Sequence, residues 1–216
     1  GIFSDCRKIT GSKQSLTDDD FFLKELHSSE KWPAFLQTAV EKKRTIVICG
    51  ETGSGKTVLT RALLKSLHKD ERVIILEDVH EVTVDHVVEA VYMMYGDAGK
   101  IGRVSATDAL RACMRLTPGR IIMTELRDDA AWDYLKALNT GHPGGVMSTH
   151  ANSARDAFNR IGLLIKATPI GRMLDMSDIM RMLYSTIDVV VHMEKRKIKE
   201  IYFDPEYKMQ CVNGSL

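Results

Sequence analysis

One segment, residues 50–57, constrains this chain more than any other. It consists of Gly-Glu-Thr-Gly-Ser-Gly-Lys-Thr and fits the pattern G-x-x-x-x-G-K-[ST] without a gap. The β-branched run 45–49 (TIVIC) precedes it, and residues 57–68 carry apolar side chains at helical spacing. Glycines let a backbone turn tightly and point its N–H groups at phosphate oxygens, and a helix N-terminus adds partial positive charge. The segment therefore predicts a phosphate-binding loop between a buried strand and a helix.

The residues of this loop imply ATP and Mg²⁺ as the ligands. Lys56 is expected to reach the β- and γ-phosphates, and the Thr57 hydroxyl is expected to ligate Mg²⁺. The nucleotide-binding residues predicted from the motif are Gly50, Glu51, Thr52, Gly53, Ser54, Gly55, Lys56 and Thr57. A glycine-rich turn with an incidental lysine is the alternative, and the agreement of motif, strand and helix weighs against it.

Predicted strands alternate with predicted helices along most of the chain, which indicates an α/β fold. Apolar runs predict strands at 45–49, 73–76, 121–124, 144–149, 187–193 and 198–203, with a less clear strand near 87–94. This alternation is typical of a mostly parallel sheet with helices on both faces, whose ligands bind at the carboxyl ends of the strands. Between the last two strands, the charged turn 194–197 is interpreted as a solvated hairpin tip rather than a binding patch.

The first residues differ in character from the rest. Residues 1–20 are polar and show no period, and the chain begins with Gly1 rather than Met. We therefore expect residues 1–30 to be a linker or the remnant of an N-terminal domain, and residues 31–216 to form the α/β domain.

Polar side chains follow three of the predicted strands and are candidates for chemistry. Glu77 and Asp78 follow 73–76, Glu125 follows 121–124, and His150 follows 144–149. Glu125 is expected beside Mg²⁺ and the attacking water, while a carboxylate at 77 or 78 could hold the water shell of the metal or polarise the nucleophile. His150 could sense the γ-phosphate. The alternatives are an ordinary strand-end glutamate, a solvated acidic loop and a surface histidine.

Several arginines flank the strand that leads to Glu125 and could neutralise charge in a transition state. They are Arg111, Arg115, Arg120 and Arg127. Each could act within its own subunit or from a neighbouring one. For most of them, a solvated surface position is the alternative.

Bulk composition argues against several other functions. The 30 basic and 29 acidic residues give a net charge of +1, which disfavours a polyanion as the main ligand. The four cysteines form no C-x-x-C pair, which disfavours a zinc ribbon or a redox motif, and their scatter fits a reducing cytosol. No stretch approaches the roughly 20 apolar residues that span a bilayer.

Taken together, the motifs resemble those of the secretion-traffic ATPases. This family drives type IV secretion and conjugation, type II secretion, and pilus extension and retraction. The matching segments are GETGSGKT at 50–57, LED at 76–78, TPGRIIMTELRD at 117–128 and ALNTGHPGGVMSTHANS at 137–153. The resemblance covers about residues 30–195 and implies the C-terminal RecA-like P-loop NTPase domain of the family.

The resemblance also implies roles for individual residues. Glu125 matches the Walker B glutamate, as general base or water-orienting group and metal neighbour. Glu77 and Asp78 match the acidic box, with Asp78 on the metal side. The histidine box and the arginines near Walker B are matched by His142, His150, Arg115 and Arg127. One departure is Thr124 before Glu125, where the family often has glycine.

For the whole protein, the resemblance implies a cytoplasmic homo-hexamer that hydrolyses ATP. Its partners would be inner-membrane channel proteins of type IV secretion or conjugation, with peripheral association with the inner membrane and no sequence-specific nucleic-acid binding. TGHPGG and THANS favour this branch, and the cysteine spacings exclude the four-cysteine module of type II motors. The alternatives are a type II or pilus motor, a DNA-translocating ATPase, or a nucleotide-gated scaffold that does not hydrolyse ATP.

Overall fold

In the computed structural model, which describes residues 13–96, 104–127 and 130–214, the strands form one twisted sheet. They are β1 (Ile46–Gly50), β2 (Arg72–Glu77), β3 (Glu89–Met94), β4 (Arg120–Met123), β5 (Val146–Thr149), β6 (Val189–Glu194) and β7 (Lys197–Phe203). Within these residues the sheet has seven strands in the order β3-β2-β4-β5-β1-β6-β7. All neighbours are parallel except β6 and β7, which form an antiparallel hairpin.

Helices cover both faces of the sheet. They are α1 (Asp18–Ser28), α2 (Trp32–Glu41), α3 (Lys56–Leu64), α4 (Ala106–Met114), α5 (Ala130–Asn139), α6 (Ala154–Ala167), α7 (Pro169–Met173), α8 (Met176–Thr186) and α9 (Pro205–Val212). Strand side chains alternate between two cores, as the pleat requires. In β1, Val47 and Cys49 pack with α4, α5, α6 and α8, while Ile46 and Ile48 pack with α1, α2 and α3. The predicted α/β fold is confirmed.

The strand predictions, including the strand near 87–94, agree with the structure to within a few residues. The short helices α7 and α9 were not predicted. Both begin at a proline, Pro169 and Pro205, and each is capped by the side chain of the preceding residue. A single helical turn or two shows too few apolar positions for a period to be recognised.

The N-terminal segment is partly built into this domain. The acidic cluster before Phe21 is the first turn of α1, where Thr17 and Asp20 form a reciprocal capping box. Asp20 is buried and pairs with Arg44 at 2.8 Å, and α1 contributes Leu23 and Leu26 to the core. Residues 13–30 therefore pack on the α/β domain, and residues 1–12 lie outside the described part of the chain. Where the domain boundary falls stays a prediction.

The parallel register places the carboxyl ends of six strands, β1 to β6, on one edge of the sheet, and five of them lead into the site. β1 ends at Gly50, β2 at Glu77, β4 at Met123, β5 at Thr149 and β6 at Glu194. The loops that leave these ends carry the candidate chemistry, as expected for a doubly wound sheet.

Candidate functional site

The phosphate-binding loop lies between β1 and α3, as predicted. Gly55, with φ of +100°, precedes α3 in the left-handed region that favours glycine. The Lys56 ammonium group lies 2.8 Å from the carbonyl oxygen of Gly50 and 2.9 Å from that of Glu51. Burial lowers the pKa of Lys56, while the charge of Glu125 opposes this shift. The lysine is thus held over the loop with its donors directed at groups that phosphate oxygens could replace.

An open cavity of about 900 Å³ lies above this loop, a volume typical of small-ligand sites. It is lined by Thr52, Gly53, Gly55, Lys56, Thr57, Val58, Asp78, Val79, Glu81, Thr124, Glu125, Arg127, Ser148, His150 and Arg196. The structure therefore brings together the loop, Asp78, Glu125, Arg127 and His150, as the sequence predicts. The other loop residues adjoin it: Gly50 ends β1, and Glu51 and Ser54 line a second cavity of about 320 Å³.

Glu125 is the centre of the polar network in this cavity. Its Oε2 lies 2.6 Å from Nη2 of Arg127, which is also 2.9 Å from Asp78, and its Oε1 lies 3.2 Å from Nε2 of His150. The Tyr95 hydroxyl donates a hydrogen bond to the Glu125 carbonyl at 2.9 Å and so fixes its backbone. Burial by itself would raise the pKa of Glu125, but the hydrogen bond and charge of Arg127, together with His150, lower it below its usual value. The carboxylate is therefore ionised at neutral pH and oriented from both sides.

The residues around Thr57 fit a Mg²⁺ ion held jointly with phosphates. The Thr57 hydroxyl donates to Oε2 of Glu81 at 3.0 Å, and Asp78 and Glu125 line the same cavity. Hydroxyl and carboxylate oxygens are the hard ligands that Mg²⁺ prefers, and Mg²⁺ usually keeps waters and substrate phosphates among its ligands. Within the described residues, no group of three or more acidic, histidine or cysteine side chains could hold a metal by itself.

Glu77 occupies a different position from Asp78. It is fully buried, and Oε1 accepts hydrogen bonds from the main-chain N–H groups of Glu81 (3.1 Å) and Val82 (3.0 Å). Oε2 lies 2.9 Å from Nδ1 of His80. These contacts close the loop after β2, and Glu77 does not line the cavity. The geometry favours a structural role over the catalytic role expected from the sequence.

Two other candidates lie at the opposite edge of the sheet. Arg115 follows α4 and adjoins Leu116, whose carbonyl accepts from the side chain of Arg72 at the amino end of β2. His142 contacts the carbonyl of Pro118 at 2.8 Å, before β4 begins. A helix that connects two parallel strands carries the chain back to their amino ends, so sequence proximity to Glu125 was misleading. Neither residue reaches the cavity of its own subunit.

Sequence reasoning missed two charged residues of the cavity, Glu81 and Arg196. Glu81 follows the acidic pair, and only the fold of its loop brings it to Thr57. Arg196 belongs to the turn interpreted as merely solvated. The hairpin is confirmed, but its tip lies beside the phosphate loop because β6 is the parallel neighbour of β1. The pairing of β6 with β1 depends on the order of strands in the sheet, which no local sequence pattern reveals.

Comparison with known proteins agrees with these features. The family model described as "Type II/IV secretion system protein" matches residues 13–200. The type IV secretion system protein VirB11 of Brucella suis is 36% identical over 218 residues, which cover 96% of this chain and 60% of that protein. The type IV secretion system protein PtlH of Bordetella pertussis is 40% identical over 167 residues, 76% of this chain and 49% of its own length. The chain thus spans about 60% of the VirB11 relative.

Solved structures extend the comparison to the fold. The crystal structure of the VirB11 ATPase from the Brucella suis type IV secretion system, in complex with sulphate, superposes with a TM-score of 0.88 at 34% identity. This match covers 98% of this chain and 62% of that one. The pilus retraction motor PilT with bound ADP matches with a TM-score of 0.61 at 21% identity over 97% of this chain and 59% of its own, a likeness of fold alone. The relatives VirB11 and PtlH are type IV secretion system proteins, and by its motifs, its sheet and these matches, the chain belongs to the type II/IV secretion system protein family.

Proposed function

We propose that this chain is the ATP-hydrolysing domain of a motor that powers type IV secretion or conjugative transfer. The observation that carries the proposal is the placement of Glu125 across one cavity from Lys56 and Thr57. Phosphoryl transfer to water requires a cradle for the phosphates, a metal and an oriented water. The loop, the oxygens around Thr57 and the ionised Glu125 would supply these three elements in turn.

The proposed reaction assigns a task to each group. Lys56 exchanges its loop carbonyls for β- and γ-phosphate oxygens, and Thr57, with Asp78 and Glu81 nearby, holds Mg²⁺ and its waters. Glu125 orients the attacking water and accepts its proton, and His150 lies where it can respond to the γ-phosphate. Arg127 keeps Glu125 ionised and oriented. Mg²⁺ would neutralise charge on the phosphates.

We further propose that the motor works as a homo-hexamer on the cytoplasmic side of the inner membrane, with secretion-channel proteins as partners. Family membership supports this assembly. The part of the relatives that this chain does not span would contribute to the ring and to the nucleotide site. Among the described residues, no helix is both long and apolar enough to cross a membrane.

Phosphate release from Mg-ATP, measured across protein concentration with the mass recorded alongside, tests the proposal. Turnover that rises as a hexamer forms is expected, and Lys56→Ala should abolish both tight ATP binding and turnover. ATP binding without turnover at any state of assembly would favour a nucleotide-gated scaffold. Stimulation by DNA would favour a DNA-translocating motor.

A further inference from the structure

The tip of the β6–β7 hairpin, residues 194–197, lies against the phosphate loop. The main-chain N–H of Arg196 donates to the Ser54 carbonyl at 3.0 Å. A methyl group on Gly50 would collide with the carbonyl oxygen of Met193, and one on Gly55 would lie 3.4 Å from Cα of Arg196. Loop and hairpin are thus in direct main-chain contact, and the loop glycines permit it.

The side chain of Arg196 lines the same cavity as Lys56 and Glu125. The other two cations of that cavity are already engaged, Lys56 by loop carbonyls and Arg127 by two carboxylates. By contrast, the guanidinium of Arg196 forms no ion pair and no hydrogen bond with any other residue that the structure describes. An arginine carries five donors that suit phosphate oxygens, so this cation is available to an anionic ligand.

The backbone of the tip holds this arginine in an unusual conformation. Lys195 and Arg196 have φ of +48° and +62°, in the left-handed region that is strained for residues other than glycine. Two successive left-handed residues give the tight turn typical of two-residue hairpins, where Asn and Gly are preferred. The geometry of the turn therefore does not explain why an arginine stands at position 196. An anionic ligand beside the loop would explain it.

We propose that Arg196 binds the α- and β-phosphates of the nucleotide held by its own subunit. This rests on the nucleotide binding proposed above. The arginine adjoins Ser54 and Gly55, and the main-chain N–H groups of this part of such loops cradle the α- and β-phosphates. The guanidinium would add charge-assisted hydrogen bonds on the hairpin side, opposite the carboxylates that serve the γ-phosphate and the metal. The hairpin tip then forms the second wall of the phosphate site.

Equilibrium binding of ATP and ADP, each with Mg²⁺, tests the proposal in Arg196→Gln, Arg196→Lys and a control, Lys197→Gln. Lys197 is exposed on the same tip and lines none of the cavities beside the loop. Arg196→Gln should weaken the binding of ATP and of ADP by similar factors, about 10-fold or more, as expected for hydrogen bonds to a charged group. Arg196→Lys should lose less affinity for both nucleotides. The affinities of Lys197→Gln should stay within about 2-fold of wild type, in the range of a surface change.

Unchanged affinity for both nucleotides in folded Arg196→Gln would overturn the proposal. Loss for ATP alone would contradict the placement beside the α- and β-phosphates. Circular dichroism and the thermal midpoint show that each variant is folded. Because this test records nucleotide binding and not turnover, a wild-type chain that binds ATP but never hydrolyses it would refute the motor function and leave this test intact.

Discussion

Nε2 of His150 lies 3.2 Å from Oε1 of Glu125, so the residues that follow β5 and β4 touch directly above the phosphate loop. Arg127 occupies the other carboxylate oxygen at 2.6 Å. Each oxygen of Glu125 keeps a second lone pair for a water, and the longer contact, to His150, is the easier one to exchange for that water. A γ-phosphate that engages His150 would free this oxygen. In the proposed reaction, the pair would couple recognition of the terminal phosphate to exposure of the base.

Glu125→Gln tests the role of the carboxylate. The amide keeps the shape of the side chain but cannot accept a proton from water, so ATP binding should persist while turnover falls by about 10²-fold or more. Single-turnover phosphate release and ATP titration measure the two quantities. Glu89→Gln, at the start of β3 and ion-paired with Arg72, is the matched control and should keep both. Turnover near wild type in Glu125→Gln would remove the general-base role.

Arg127→Gln tests what keeps Glu125 ionised. Burial still disfavours the charged form when the guanidinium is lost, so the pKa of Glu125 should rise. The lowered pKa in wild type means that pairing stabilises the fold above the usual carboxyl pKa and that this stability is lost as pH falls through the folded-state pKa. Carbon-13 NMR titration of the Glu125 carboxyl follows the shift directly, and the acid limb of turnover should move to higher pH.

A second arginine provides the control for that titration. Arg111 pairs with Asp108 and Asp133 on the surface, and Arg111→Gln should leave the Glu125 titration unmoved. An unmoved Glu125 titration in Arg127→Gln would mean that the contact with His150 suffices to lower the pKa.

The sequence was most informative where chemistry and structure share one local pattern. The loop 50–57 was predictable because its glycines, lysine and threonine are consecutive, and Glu125 because it directly follows an apolar strand. The position of Arg196 depended on the pairing of β6 with β1, a contact between residues far apart in sequence. Arg115 lies away from the cavity of its own chain for the converse reason, since proximity in sequence does not state which edge of the sheet a helix end reaches.

Substitutions of Glu77 distinguish a structural role of this side chain from a catalytic one. Glu77→Ala leaves the N–H groups of Glu81 and Val82 without acceptors, at about 1–3 kcal/mol for each unsatisfied donor. Glu77→Gln retains an oxygen for both. We expect Glu77→Ala to lower the free energy of unfolding in urea by about 2–6 kcal/mol on this basis, and Glu77→Gln to keep most of the stability and the turnover. A folded Glu77→Gln with turnover reduced as in Glu125→Gln would restore the catalytic role.

Arg115 and Arg120 flank the same turn, but their substitution should affect the free energy of unfolding very differently. Arg120 is fully buried, bonds both carboxylate oxygens of Glu71 at 2.9 and 3.0 Å and donates to the Val40 carbonyl at 3.0 Å. Arg120→Ala breaks this buried pair and should cost about 3–5 kcal/mol in urea unfolding. Arg115 is exposed, and Arg115→Ala should change stability by no more than about 0.5 kcal/mol.

Neither substitution should alter ATP affinity in the folded protein, because neither arginine lines the cavity. Turnover of Arg115→Ala, measured across protein concentration, then decides whether this residue acts between subunits. Below the concentration at which the ring forms, the variant and wild type should match. If Arg115 is only a surface residue, they should also match in the assembled ring. A deficit confined to the ring would instead place Arg115 at the nucleotide of a neighbouring subunit, because its own site lies at the opposite edge of the sheet.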